Sequence, residues 1–318
     1  MFLIGFQKCH PTFVFMPETP NSISLIVPYV LGGGSDQRAR LVAKYLSQHL
    51  GRPIVVQNIT GAVKGHTAIA NAAPDGRTIG LITGEIGMMH WHEGLTALSP
   101  HDFTPLSAPF VESSAIIVRK DAPFDTLSEF IDYCRNNAIT GSGGPDFSVW
   151  KFSLIGLLNA AGITANNVAW LETYSGEQGL ANVLEGKALV APITMTDARG
   201  PLRAGQAKAL ATMEDVRHPA FPDIPTVQES IDISWSVAHW RGLVAPRGLP
   251  AELTLAFIEG LKQVEMDPGF QREAKENSFT TRWRYGTEFG LYMDEDDVQF
   301  GRIIALLGDQ AGSTSKLY

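Results

Sequence analysis

Hydrophobic and polar positions along this chain switch between a strand period and a helix period in a repeating order. Ile23–Val27 is an aliphatic run, and a glycine-rich turn follows it. From Ser35 to Leu50, apolar residues recur at helical spacing at Ala39, Val42, Ala43, Leu46 and Leu50. Gly51 is placed to stop that helix, and residues 53–57 predict the next strand, so a right-handed βαβ crossover is the natural construction. A helix over 65–73 and a strand over 78–83 repeat the order.

A second α/β series starts beyond residues 115–119, which read as a strand. Asp121, Ala122 and Pro123 lead to Thr126-Leu127-Ser128-Glu129, which has the spacing of a capping box. The pattern then predicts a strand near Ile139, a helix over 148–161, a strand over 168–170 and a helix over 178–185. A strand over 188–193, a helix over 198–204 and a strand over 207–211 complete the series. After a proline-rich stretch from His218 to Pro225 come a strand over 240–244 and helices beginning near Pro250, Pro268 and Thr287. Two series imply two doubly wound α/β lobes. The expected division is residues 22–122 with 238–318 as the first lobe and 123–237 as the second. The crossings near 119–124 and 235–241 would then form the hinge. Residues 1–21 are expected to be a tail or signal remnant, since the apolar run Phe2 to Phe6 ends at Gln7 and is too short for a secretory core.

At 318 residues, with 44 % hydrophobic and 18 % charged positions, the chain is ordinary globular material and can bury two cores. Its net charge of -8 argues against nucleic acid or anionic lipid as a partner. A local nest of backbone amides can still hold an anion. Cys9 and Cys134 stand in no metal-ligand or redox spacing, and Cys134 reads as a semi-buried small hydrophobe.

Candidate chemistry lies in the loops. Gly32, Gly33 and Gly34 separate a strand from the helix opened by Ser35 and Asp36. A helix start leaves amides unpaired and attracts a carboxylate, and glycine lets the ligand approach closely. A tight turn capped by Ser35 is the equally weighted alternative. The loop is neither a Walker A nor a dinucleotide fingerprint, and no cofactor is expected. Comparable starts recur at Gly61-Ala62, at Gly141-Ser142-Gly143-Gly144 with Asp146 and Ser148, and at Tyr174-Ser175-Gly176-Glu177. In open α/β sheets such loops line one crevice, so convergence on a single cleft is expected. Lys64 and His66 could add positive charge or stand as an exposed loop pair. Glu85, Glu177 and Asp197 would suit a ligand bearing an amine or hydroxyl, or serve as solvated and helix-capping acids. Asp36 could equally organise its own turn. Tyr29 and Trp240 could wall the pocket, with core packing the default for Trp240.

An enzyme of similar build would have His66, His90, His92 and His101 to work with. The sequence has no G-x-S-x-G elbow, no H-E-x-x-H pair and no Cys-His metal spacing. Met89-His90-Trp91-His92 offers an i, i+2 pair to a metal, although a polar loop is the better reading. A ligand-sensing module of a signalling protein would use the same cleft.

Several blocks in order resemble one family. They are Ile26-Val27-Pro28-Tyr29 with Gly32-Gly33-Gly34-Ser35-Asp36 and Ala39-Arg40, Val55-Val56-Gln57-Asn58 with Gly61-Ala62, and Ala73-Pro74-Asp75-Gly76 with Thr78. Phe103-Thr104-Pro105-Leu106, the run from Phe221 to Val227, and Trp240-Arg241-Gly242-Leu243-Val244-Ala245-Pro246 with Gly248 and Pro250 continue it. Together they resemble the substrate-binding receptors of tripartite tricarboxylate transporters, the Bug proteins. The resemblance implies a periplasmic, non-catalytic monomer of the type II periplasmic-binding-protein kind, whose lobes are joined by crossover strands. It implies a small carboxylate held by main-chain amides and bridging water, and membrane transporter subunits as partners. Carried over by motif, the contacts are Tyr29, Gly33, Gly34, Ser35, Asp36, Gly61 and Ala62 on the first lobe. On the second they are Ser142, Gly143, Ser148, Tyr174, Gly176, Thr196 and Asp197. The chain departs from the pattern at Val63-Lys64-Gly65-His66, where the family carries Gly-Gly-Asn. It also lacks the lysine common after Tyr174, and has Thr196-Asp197 for a serine-rich loop.

Overall fold

The computed structural model describes residues 21–91, 95–144, 148–164 and 168–307. Cys9, His92 and Asp146 lie outside them. The chain begins with β1 (Ile23–Val27), α1 (Gly34–Leu50), β2 (Ile54–Asn58), α2 (Ala62–Ala70), β3 (Thr78–Thr83) and α3 (Ile86–Met89). A 3-10 turn at Pro100–Asp102 leads to β4 (Phe103–Ser113). The second series is β5 (Ala115–Arg119), α4 (Leu127–Asn136), β6 (Ile139–Ser142), α5 (Val149–Ala160) and β7 (Val168–Leu171). It continues with α6 (Gly176–Leu184), β8 (Val190–Ala191), α7 (Arg199–Arg203), β9 (Ala207–Thr212) and α8 (Val227–Ile231). β10 (Ala238–Pro246), α9 (Ala251–Met266), α10 (Pro268–Glu276), β11 (Thr281–Tyr285) and α11 (Gly286–Leu307) complete the chain.

Two sheets organise these elements. The first has the order β11-β4-β10-β3-β1-β2 and the second β7-β6-β8-β5-β9. Each is mixed, with parallel βαβ pairs on one side (β1 with β2 and β3; β6 with β7 and β8) and antiparallel strands on the other. Helices cover the sheets, so each has its own core, built around Leu25, Leu46 and Phe110 in the first lobe and Phe130, Leu154 and Val190 in the second. Thr126 and Glu129 do form the capping box that opens α4: the hydroxyl accepts from the Glu129 amide at 3.2 Å and the carboxylate from the Thr126 amide at 3.0 Å. Cys134 is buried in the second core, where burial pushes its thiol up to about 12 and removes it from thiolate chemistry.

The periodicity foresees neither β4 nor β11. β4 is buried on nearly every residue and carries Pro105 and Pro109, so no alternation marks it. Its register against β10 is irregular around Gly242, which lets a proline-bearing strand lie inside a sheet. Helix α2 starts three residues earlier than the expected 65, because Gly61 serves as its N-cap.

The crossing between lobes also differs from expectation. β5 pairs with β8 and β9 in the second sheet, so the chain has crossed by Ser114, before the 119–124 stretch. It returns between Val237 and Ala238, where Ala238 pairs with Ser113 at the end of β4. The two crossings therefore lie side by side. A third contact is apolar: Phe300 and Ile303 of α11 pack with Val149 and Phe152 of α5, together with Met88 and Val237.

Candidate functional site

The β1–α1 loop reaches the cleft with bare amides. Gly33 is the N-cap of α1 and no side chain caps that helix. The first intrahelical bond runs from the Gln37 amide to the Gly33 carbonyl, which leaves the amides of Gly34, Ser35 and Asp36 without a protein acceptor among the described residues. Ser35 therefore does not close the turn. Its hydroxyl accepts from Arg241 Nε at 3.3 Å. Asp36 is turned away from the cleft, and its carboxylate accepts from the Gly32 amide at 2.8 Å, Arg40 Nε at 2.9 Å and Asn58 Nδ2 at 2.9 Å. Burial opposes its ionisation, but these donors outweigh that effect and hold its carboxyl below the ordinary range. Asp36 thus holds the loop in place and is not a wall of the cavity.

The β2–α2 loop lies against the first because Gly65 permits it: a Cβ there would stand 2.6 Å from Pro28 Cα. Gly61, at φ 114°, and Ala62 are thereby set beside Tyr29 at the mouth of α2. The Tyr29 hydroxyl donates to Glu85 Oε2 at 3.0 Å and meets Thr83 Oγ1 at 2.6 Å. Burial pushes the Glu85 carboxyl up to about 7, against the pull of the Tyr29 hydrogen bond and the Arg241 charge. Lys64 is exposed on the outer side of α2 and does not reach this space. His66 is fully buried, with Nδ1 at 2.6 Å from the Ala62 carbonyl, and burial pushes it down to about 4, so it stays neutral behind the loop.

From the second lobe come Trp150, the stretch Thr173 to Glu177, and Asp197. Ser175 caps α6 by accepting from the Gln178 amide at 3.3 Å, and Gly176 brings that helix start to the cleft. Tyr174 stands at the rim, 55 % exposed. Asp197 spans the gap: one carboxylate oxygen would meet a Cβ on Gly34 at 3.1 Å, and the other a Cβ on Gly176 at 3.2 Å. Burial raises its carboxyl, while Arg38 and Arg241 pull it back toward ionisation.

Beneath the loops lies a buried ion cluster. Arg38 Nη2 donates to both Glu112 oxygens at 2.7 and 2.5 Å, and Arg241 Nη1 donates to Glu112 Oε2 at 3.2 Å. All three side chains are almost wholly shielded from solvent. Burial opposes the Glu112 charge, but the two guanidinium groups hold its carboxyl down at about 2.

The remaining expected contacts serve as structure instead. Ser142 donates to the Leu171 carbonyl at 2.7 Å and accepts from Asn182, tying β6 to β7 and α6. Gly143 is pressed under Gly179 of α6. Ser148 caps α5 by accepting from the Lys151 amide. Thr196 is buried against Glu112 and the Ser278 carbonyl. Trp240 is core, its Nε1 donating to Asp296 at 2.7 Å. His90 lies near Asp297, and no group of three or more His, Cys, Asp and Glu side chains among the described residues is gathered for a metal.

One cavity thus collects Tyr29, Gly33, Gly34, Ser35, Gly61, Ala62, Glu85, Tyr174, Gly176 and Asp197 from the sequence-derived set. It encloses about 150 Å³ of free space, which limits a guest to small-molecule size. Sequence reasoning missed Trp150, His239 and Arg241. Strand alternation was the available signal for the last two: if Trp240 faces the core, its neighbours face the cleft.

A family model described as the tripartite tricarboxylate transporter family receptor matches residues 38–308. A UPF0065 protein of Bordetella pertussis (strain Tohama I) is 27 % identical over 299 residues, covering 92 % of this chain and 91 % of that one. Among solved structures, a TctC solute binding protein from Polaromonas, without ligand, is 25 % identical with a TM-score of 0.74, covering 90 % of this chain and 98 % of its own. MatC from Rhodopseudomonas palustris with bound malate gives a TM-score of 0.80 at 23 % identity, covering 90 % and 99 %. No helix among the described residues is long and apolar enough to cross a membrane. The two-sheet architecture, the converging loops and the extent of the match place this chain in the tripartite tricarboxylate transporter receptor family, a family of solute-binding receptors and not of enzymes.

Proposed function

We propose that this protein captures a small organic acid between its lobes in the periplasm and presents it to the membrane subunits of a tripartite transporter. The observation that carries the reading is convergence. Unpaired amides of Gly34, Ser35 and Ala62 on one lobe and of Gly176 on the other face a single cavity, with Arg241 behind them. Helix starts favour an anion through both their free N–H groups and their dipoles, and a guest bridging two lobes favours the closed arrangement over an open one. The malate held by MatC, a protein of the same fold, supports an acid as the guest. The adjacent crossings at Ser114 and Val237 are where a hinge motion would be absorbed.

A thermal-shift screen of mono-, di- and tricarboxylates tests the reading. At least one acid raises the melting temperature in proportion to the logarithm of its concentration. A flat response across all three classes would sink it.

A further inference from the structure

The charged groups around the cavity do not suit a guest that carries only negative charge. Among the described residues, Glu85, Glu177 and Asp197 line it against the single guanidinium of Arg241, and burial keeps His239 neutral. Asp197 is compensated, since it and Glu112 face Arg38 and Arg241, two acids against two bases. Glu85 makes no salt bridge among the described residues, and the Arg241 charge acts on it only from a distance. Its Oε2 accepts from Tyr29, while its Oε1 receives no hydrogen bond among the described residues. It lines the cavity on the same lobe as the Gly34, Ser35 and Ala62 amides. A carboxylate seated on those amides therefore shares one small cavity with a second carboxylate, and like charges so confined repel.

A cationic nitrogen on the guest removes the conflict. The guest's carboxylate then takes the amides and its N–H donors take Glu85 Oε1, whose orientation is fixed by the Tyr29 hydroxyl on the other oxygen. We propose that the cleft is built for an acid that also carries a protonated amine, with Glu85 as the ammonium receptor and Tyr29 as the residue that positions it. This rests on the receptor reading above and narrows it from carboxylates in general to amino-carboxylates.

The alternative guest is a second carboxylate met by a protonated Glu85, and pH separates the two. Glu85 gains its proton as pH falls through about 7. An ammonium guest then loses its partner, whereas a dicarboxylate gains a donor.

Calorimetric titration of matched pairs decides the matter: succinate against aspartate, glutarate against glutamate, propionate against β-alanine. The best amino member binds about tenfold or more tightly than its partner near pH 8, weakens toward about pH 6, and loses that advantage in Glu85→Gln. Circular dichroism and thermal unfolding confirm that the variant is folded, and Tyr29→Phe gives an intermediate loss. Equal binding within the pairs, tighter binding on acidification, or an unchanged ratio in Glu85→Gln overturns the proposal. Binding confined to the acids without nitrogen overturns it while leaving the receptor reading intact; no binding by any member overturns it too, and only a flat response in the wider acid screen as well overturns both.

Discussion

Trp150 and His239 stack with ring centroids 4.8 Å apart and planes inclined by 23°, and the two rings come from opposite lobes. Trp150 Nε1 and His239 Nε2 are both buried without a hydrogen-bond partner among the described residues. A buried donor left unmade is costly, and a guest that supplies an acceptor recovers that cost only when bound. Trp150→Phe keeps an aromatic face but deletes the donor. It lowers affinity for the preferred acid by about fivefold, in line with a lost hydrogen bond of roughly 1 kcal/mol, while the melting temperature without ligand stays level or rises. Calorimetry and thermal unfolding read the two effects separately.

Gly34→Ala tests the contact between lobes. The new Cβ would stand 3.0 Å from Arg38 Nη1 and 3.1 Å from Asp197 Oδ1, so one of them must give way. Position 34 begins α1, where alanine favours the helix by up to about 1 kcal/mol over glycine. The helix gain offsets the displacement of the buried side chain, so the variant melts close to the parent, yet it binds its acid at least about tenfold more weakly. Loss of binding accompanied by a fall in melting temperature would contradict this account.

Glu112 holds two buried arginines together. Glu112→Ala strands both charges and costs about 3–5 kcal/mol, measured by urea unfolding at neutral pH. The pH dependence follows from a folded-state carboxyl held at about 2, below its unfolded range near 4.3. Stability from Glu112 is present above the unfolded value and is lost as pH falls through about 4 toward 2. Glu112→Gln, though less stable overall, shows a shallower acid limb than the parent.

Glu214 predicts the opposite slope. It is 8 % exposed, its Oε1 has no partner among the described residues, and burial pushes its carboxyl up to about 7 against the pull of Arg282. A folded value above the unfolded one means stability that is full below about 4.5 and lost as pH rises through about 7. Glu214→Gln therefore raises the melting temperature near pH 8, and the gain shrinks to nothing by about pH 5. A constant difference across that range would show that ionisation is not the cause.

Legibility in the sequence followed locality. The glycine loops at 32–34 and 61–62 were readable because helix starts and βα turns are written within a few neighbouring residues. Strand β4 was not, because a strand buried on both faces and interrupted by prolines has no period. Arg241 was hidden for a different reason. A buried guanidinium needs a distant partner, and Glu112 lies far back along the chain on a strand that was itself unseen. Ser142 and Thr196, expected at the ligand, instead bond to the protein outside the cavity lining, because hydroxyls suited to a ligand are equally suited to pinning strands and only the fold shows which partner is nearer.

Glu112, His239 and Arg241 ride on β4 and β10, the two paired strands that carry the chain between halves. Recognition and the proposed hinge would consequently share one strip of backbone. A guest that draws on Arg241 therefore pulls on the same two strands through which the proposed hinge motion would pass.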